Sequence, residues 1–170
     1  MSKNGISLSF TPGPIGERLD IELKTGENDN IEQTDAYRAL EDSARSGGGS
    51  GYALLQSEDH LRCEATFRFQ FEEKYLNSDV LRNVSGASTD LLFGLAVVTA
   101  VRSDLEYRPF AATGILTEDG QVQSIEGLRA KIHAALNIPA LSGNGLIFYP
   151  KANDKDIDAE LRHKVTQAQI

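Results

Sequence analysis

A serine stands at the entrance to the most apolar segment of the chain, and its setting suits covalent chemistry. Ser88 follows Gly86 and Ala87 and leads into the apolar run at residues 91–101. A hydroxyl at the first turn of a buried helix lies beside backbone N–H groups that have no intrahelical acceptor, and acyl-transfer enzymes can display a nucleophile in this way. The same residue types also fit a simple helix cap, which is a far commoner use of serine.

A lysine borders the apolar face of a second predicted helix and is a candidate base. A lysine has an ordinary pKa of about 10.4 and is protonated at neutral pH, so it accepts a proton from a hydroxyl only when desolvation disfavours its charged form. Lys131 stands beside apolar residues at the i, i+4, i+7 and i+8 spacing of a packed helix, namely Leu128, Ile132, Ala135 and Leu136. This position allows the required desolvation.

Length and charge limit the classes of function. The 170 residues suffice for one domain with a core, and the 40% hydrophobic and 25% charged fractions are typical of a soluble globular chain. The net charge is -8 and the basic residues are scattered singly, which disfavours binding to nucleic acid or to an anionic membrane. The single cysteine, Cys63, excludes an internal disulfide.

The sequence gives no sign of a membrane span, a signal peptide or a metal site. The longest apolar run is about half of what a bilayer crossing needs, and the first residues lack an apolar signal core, so we expect a cytoplasmic protein. The three histidines are too scattered to form a ligand set. The alternating aspartates at residues 154–158 lack the glycine and terminal glutamate of a calcium loop, so we expect no metal and no cofactor.

The first part of the chain predicts two strands followed by a helix. Residues 6–10 alternate apolar and polar side chains up to a Thr-Pro-Gly-Pro turn, and residues 19–23 alternate again, so we expect a hairpin. Residues 31–45 fit a helix whose apolar stripe is weak, which places this helix at the periphery.

A run of glycine and serine follows, and then the clearest strand of the chain. Residues 46–51, Ser-Gly-Gly-Gly-Ser-Gly, predict a flexible loop; a phosphate-binding loop would end in Gly-Lys-Ser/Thr, and Tyr52 and Ala53 stand there instead. Residues 65–71 place three phenylalanines on one face and polar side chains on the other, so this strand should cover one side of the core.

The remaining elements predict a mixed α+β fold. Residues 110–116 and 121–125 flank an Asp-Gly tight turn and form a second hairpin. We expect helices at residues 126–136 and 154–165 and a buried strand at 146–149. Strands and helices do not alternate as in a doubly wound sheet, and there is no internal repeat, so the expected fold class is a single α+β domain over residues 1–170.

About half of the chain, from Ser85 to about residue 165, resembles the proteolytic domain of the Lon family of Ser-Lys peptidases. The match runs without a gap between Ser88 and Lys131, which makes it more specific than any single motif. It rests on Gly-Ala-Ser at 86–88, Ala-Thr-Gly at 112–114, Gly-Gln-Val at 120–122, the helix start at 125–131, and Tyr-Pro-Lys-Ala-Asn-Asp-Lys-Asp-Ile at 149–157. The resemblance implies a Lon-like fold with a mixed sheet and packed helices, whose catalytic-like half is residues 85–170.

The resemblance also implies roles for three residues. Ser88 would be the nucleophile, Lys131 its general base, and Thr113 would match the threonine that orients the lysine. The implied substrate is a peptide or an unfolded protein. Lon proteolytic domains work beside a ring ATPase, and no ATPase motif is found in these 170 residues. The chain would therefore cut only short or unfolded peptides, or depend on an unfoldase in another chain. The resemblance also implies self-association, as a hexamer.

A catalytically inactive Lon-fold module, serving oligomerisation or docking to a partner protein, is the alternative. The run at residues 88–91 also resembles the Lon-like domain of bacterial RadA recombination proteins, which has no catalytic serine. A carboxylate at Asp90 within reach of Lys131 would stabilise the charged amine and oppose its use as a base. Four residues depart from the Lon pattern: Ser85, Asp90, Ile115 and Glu126.

Overall fold

The chain folds into a mixed arrangement of helices and strands, as the sequence predicts. The structure is a computed structural model and describes residues 6–24, 35–58, 60–71, 86–102 and 108–168. Its strands are β1 (Ile6–Ile15), β2 (Leu19–Lys24), β3 (Cys63–Phe71), β4 (Phe110–Ala112), β5 (Ile115–Leu116), β6 (Val122–Gln123) and β7 (Leu146–Phe148). Its α-helices are α1 (Asp35–Ser57), α2 (Asp90–Val101), α3 (Leu128–Leu136) and α4 (Ala159–Ala168), with 3-10 turns at Ala87–Thr89, Pro139–Leu141 and Lys151–Asp156.

The three longest strands form one sheet in the order β1-β3-β2, and this corrects the predicted first hairpin. β1 and β2 do not pair with each other, because β3 lies between them, antiparallel to β1 and parallel to β2. β1 also continues through the predicted Thr-Pro-Gly-Pro turn, pairing Pro12 with Ala65 and Ile15 with Cys63. An edge strand needs no ladder bonds on its outer side, so the prolines are tolerated there.

The central strand β3 covers the core on one side, as predicted. Phe67 and Phe69 are fully buried, and Phe69 makes an edge contact with Phe93 of α2 at a ring-centroid distance of 4.8 Å. On the other face, Arg68 donates a 2.8 Å hydrogen bond to Glu22 of β2. The alternation of the strand therefore places α1 and α2 against its aromatic face.

The prediction of a flexible loop at residues 46–51 is wrong. The run lies inside α1, a helix of 23 residues that packs along α2 and is buried rather than peripheral. A Cβ at Gly47 would overlap the Asp90 carbonyl oxygen, and a Cβ at Gly51 would lie 2.6 Å from the Gly94 carbonyl oxygen. Gly47 and Gly51 are needed because at these two positions the helix backbones are too close for any side chain between them.

A second, smaller core lies around α3 and α4. It joins Leu128 and Ile132 of α3 to Ile157 and Leu161, with Ile147 of β7 packed against them. β4 pairs with β7 in parallel, so only β5 and β6 form the predicted second hairpin. The predicted charged helix begins later than expected, because a 3-10 turn (Lys151–Asp156) occupies its first residues.

In the described ranges, the structure contains no helix with the length and apolar character needed to cross a bilayer.

The glycine contact gives a prediction with an internal control. Gly47→Ala should destabilise the fold by about 1–3 kcal/mol, because the new methyl group has no space against α2. Gly49→Ala should stabilise it by about 1 kcal/mol, because alanine favours a helix and nothing lies within 4 Å of a Cβ at this position. Urea unfolding measures both changes through the midpoint and slope of the transition.

Both variants change the same residue type in the same helix, so they differ only in the space available. A Gly47→Ala variant as stable as the wild type would contradict the close packing of α1 on α2.

Candidate active site

The backbone of Ser88 is held by the segment that connects β4 to β5. The Ser88 carbonyl oxygen accepts a 2.8 Å bond from the Gly114 N–H and a 3.1 Å bond from Thr113 Oγ1. The Gly114 carbonyl oxygen in turn accepts a 3.1 Å bond from the Leu91 N–H. These three bonds fix the 3-10 turn that carries Ser88 and the first turn of α2.

The Ser88 side chain does not cap α2. Thr89 occupies the N-cap position of that helix, and among the described residues no side chain makes a capping hydrogen bond there. The Ser88 hydroxyl instead lies 2.9 Å from the Nζ atom of Lys131. The simple cap interpretation of this serine is therefore wrong in this geometry.

Lys131 reaches the serine from the first turns of α3. Gly127 precedes this helix with a φ of 67°, a left-handed conformation that favours glycine, and its carbonyl oxygen accepts a 3.3 Å bond from the Lys131 N–H. The Lys131 Nζ atom lies 2.9 Å from Ser88 Oγ and 3.4 Å from Thr113 Oγ1. The structure thus brings together all three residues singled out from the sequence, with the hydroxyls of Ser88 and Thr113 within hydrogen-bonding distance of the Lys131 amine.

Burial lowers the pKa of the Lys131 amine. No carboxylate in the described part of the chain counteracts this effect, since desolvation is the one cause that shifts the group. The pairing of Asp90 with this amine that would have opposed its use as a base is not found in the described residues. The Asp90 carboxyl instead accepts a 3.4 Å bond from Ser46 of α1.

The hydrogen bonds of Thr113 fix the direction of its contact with the lysine. A hydroxyl carries one proton, and Thr113 Oγ1 donates it to the Ser88 carbonyl oxygen. The remaining lone pairs of Thr113 Oγ1 can accept an N–H from Lys131 Nζ. A neutral amine held in this way directs its lone pair at another partner, and the Ser88 hydroxyl is at the shorter distance.

One positioning residue was not singled out by the sequence reasoning. The buried Asn153 side chain pairs with the backbone of Ile125, accepting a 3.0 Å bond from its N–H and donating a 2.8 Å bond to its carbonyl oxygen. Asn153 Nδ2 also donates a 2.7 Å bond to Asp156. This clamp holds the chain just before α3, and local sequence offered no signal for it beyond its place in the Lon-like stretch at 149–157.

The arrangement combines the Ser88 hydroxyl, a partly buried amine and a second hydroxyl within reach of that amine. A neutral lysine can accept the serine proton when the serine attacks a carbonyl carbon, and the N–H groups at the start of the 3-10 turn have no acceptor within the helix. These are the parts that acyl transfer requires. No cofactor is needed for this chemistry.

Comparison with known proteins gives one distant relationship. The chain is 28% identical over 156 residues to the Lon protease of Mesomycoplasma hyopneumoniae (strain 232), and the match covers 90% of this chain. The chain spans 16% of the length of that protein. No protein-family model matches the chain. The similarity supports a distant Lon-like relationship.

The environment of Lys131 predicts its titration. The amine should lose its proton at a pH below the ordinary lysine value of about 10.4, because burial disfavours the ammonium form. Between the folded and unfolded pKa values the folded chain binds fewer protons, so the free energy of unfolding should rise with pH in that range. NMR of lysine side chains labelled with carbon-13 measures the midpoint.

The NMR signal that is missing in Lys131→Met belongs to Lys131. The same variant should lack the rise of the free energy of unfolding with pH that Lys131 causes. A Lys131 midpoint at or above the ordinary value would contradict the burial of the amine.

Proposed function

We propose that this chain is a Lon-like serine peptidase domain that hydrolyses peptide bonds through a Ser88–Lys131 dyad. The observation that carries the proposal is the 2.9 Å separation of Ser88 Oγ and Lys131 Nζ, with an amine whose pKa burial lowers. The distant similarity to a Lon protease supports the same class of reaction, peptide-bond hydrolysis.

The reaction follows from the protonation states of the pair. Neutral Lys131 accepts the Ser88 proton as Ser88 Oγ attacks the scissile carbonyl carbon, and a tetrahedral intermediate forms. The Lys131 ammonium then donates that proton to the leaving amine, the peptide C–N bond breaks, and an acyl-serine ester is left. Neutral Lys131 then takes a proton from water as the water oxygen attacks the ester carbonyl carbon, and a second tetrahedral intermediate forms. The ester C–O bond breaks, the Lys131 ammonium returns the proton to Ser88 Oγ, and the carboxylic acid product leaves.

Backbone N–H groups at or near Ser88 would stabilise the oxyanion of both intermediates. The 3-10 turn starts at Ala87, so its first N–H groups have no intrahelical acceptor, and Gly86 precedes it with a φ of 82°. In other acyl-transfer enzymes one such donor contributes about 2.7–4 kcal/mol to transition-state stabilisation. Thr113 orients the amine throughout.

The substrate class follows from what the 170 residues contain. A phosphate-binding loop is missing from this sequence, so an unfolding ATPase would have to lie outside it. We propose that short peptides and unfolded proteins are cut directly, and that a separate ATPase delivers folded substrates. We further propose a cytoplasmic protein that self-associates, with a hexamer as the state implied by the family.

The first test is cleavage and covalent labelling without nucleotide. The wild type should cut an unfolded protein and quenched fluorescent peptides, and Ser88→Ala and Lys131→Met should each lower cleavage by at least about 10³-fold, because the two residues act as a unit. A fluorophosphonate should label Ser88, as read by mass spectrometry, and Lys131→Met should prevent the labelling.

Ser124→Ala and Lys155→Met are matched controls, because both side chains are exposed and both variants remove the same chemical group. Cleavage that persists in Ser88→Ala would refute the proposal. A folded wild type that neither cleaves nor labels would favour the noncatalytic module.

The orienting hydroxyl has a separate test. Thr113→Val keeps the shape of the side chain but loses both hydrogen bonds, so kcat/KM should fall by about 100-fold through misplacement of the amine. Thr113→Ser keeps the hydroxyl and should stay near the wild-type value. Equal rates for Val and Ser at this position would show that the hydroxyl does not orient the base.

A further inference from the structure

Asp90 is a buried acid that the proposed reaction does not use. It is the first residue of α2, two residues after Ser88, and only 2% of it is exposed. Its Oδ2 atom accepts a 3.4 Å bond from Ser46, and the Ser43 hydroxyl and the Leu116 N–H also face the carboxyl group. Its Oδ1 atom has no partner of full hydrogen-bond geometry in the described ranges.

Burying this carboxyl group is costly, so its location calls for an explanation. A buried acid destabilises a fold unless hydrogen bonds satisfy it, and burial raises the Asp90 pKa against the opposing effect of its donors. Those donors belong to α1 and to β5, while Asp90 itself belongs to α2. The one side chain therefore ties together three elements that surround the turn carrying Ser88.

The backbone at the same point is also in close contact. Gly47 of α1 packs directly on the Asp90 carbonyl oxygen. Nearby, the Gly114 N–H donates to the Ser88 carbonyl oxygen, and the Leu91 N–H donates to the Gly114 carbonyl oxygen. The turn is thus held at two points, by the segment between β4 and β5 at Ser88 and by α1 at Asp90.

We propose that Asp90 is a positioning residue for Ser88: its carboxyl group, which accepts a bond from Ser46 and faces Ser43 of α1, fixes the rotation of the first turn of α2 and thereby the Ser88–Lys131 distance. The catalytic part of this inference rests on the proposed peptidase function. The structural part concerns the Ser88 turn alone and can be measured without catalysis.

The test compares Asp90→Ala with Asp90→Asn. Asp90→Ala should slow fluorophosphonate labelling of Ser88 and lower kcat by about 100-fold, with KM within about 3-fold, because a misplaced nucleophile affects the chemical step. Asp90→Asn should recover most of the rate, because an amide keeps the shape and can bond to both serine hydroxyls. Asp42→Ala, an exposed acid on α1, is the matched control and should leave labelling unchanged.

Amide hydrogen exchange gives a readout that needs no activity. In Asp90→Ala the Gly114 N–H should exchange at least about 10-fold faster, while the core amides of β3 keep their protection, because the loss is local. If Asp90→Ala does not fold, the double change Ser43→Ala and Ser46→Ala removes the donors from α1 and should shift Gly114 exchange in the same direction.

The outcomes separate the two proposals. A wild type that neither cleaves nor labels would refute the peptidase function, and Gly114 exchange would still decide the role of Asp90. A folded Asp90→Ala variant with wild-type Gly114 exchange would overturn the positioning role. Where the wild type does label, an unchanged labelling rate in Asp90→Ala would overturn it as well.

Discussion

The close approach of two helix backbones is the constraint on which the rest of the structure depends. Gly47 and Gly51 of α1 leave no space between that helix and α2. Each glycine inside a helix destabilises it by about 1 kcal/mol relative to alanine, so such a run is tolerated where close packing stabilises the fold by more than this. Here the close packing forms the first core, in which α1 and α2 together cover Phe67 and Phe69 of β3.

The candidate site is formed where the two cores meet. Ser88 is carried by the turn before α2, and Lys131 by α3, which belongs to the second core. Thr113 and Gly114 lie between them and bond to the Ser88 carbonyl oxygen. Removal from water disfavours the charged form of a lysine, so the junction supplies both the short distance and the burial that lowers the amine pKa.

The elements predicted well from the sequence are those whose own pattern decides their structure. Strand β3 has strict alternation, α2 is mostly apolar after its first residue, and the apolar spacing around Lys131 gives α3, so the local pattern was sufficient. The prediction failed where the structure of a segment depends on an element that is distant in the sequence. The glycines at residues 46–51 look like a loop until α2 is placed against them, and β1 looks like half of a hairpin until β3 separates it from β2. Asn153 gave no local signal because its partner, Ile125, is 28 residues away.

The apparent conflict between Asp90 and Lys131 is resolved by the helical period. Ser88 lies in the 3-10 turn and Asp90 begins α2. Two residue steps of about 100–120° each therefore separate their side chains, which point about 120–160° apart around the axis. A serine that faces the lysine therefore directs the residue two places later away from it. Here that direction leads to α1, where serine hydroxyls rather than an ammonium group meet the acid. Asp90 is close to Ser88 in the sequence, but its side chain points away from Lys131. Burial is thus the effect that lowers the pKa of the Lys131 amine.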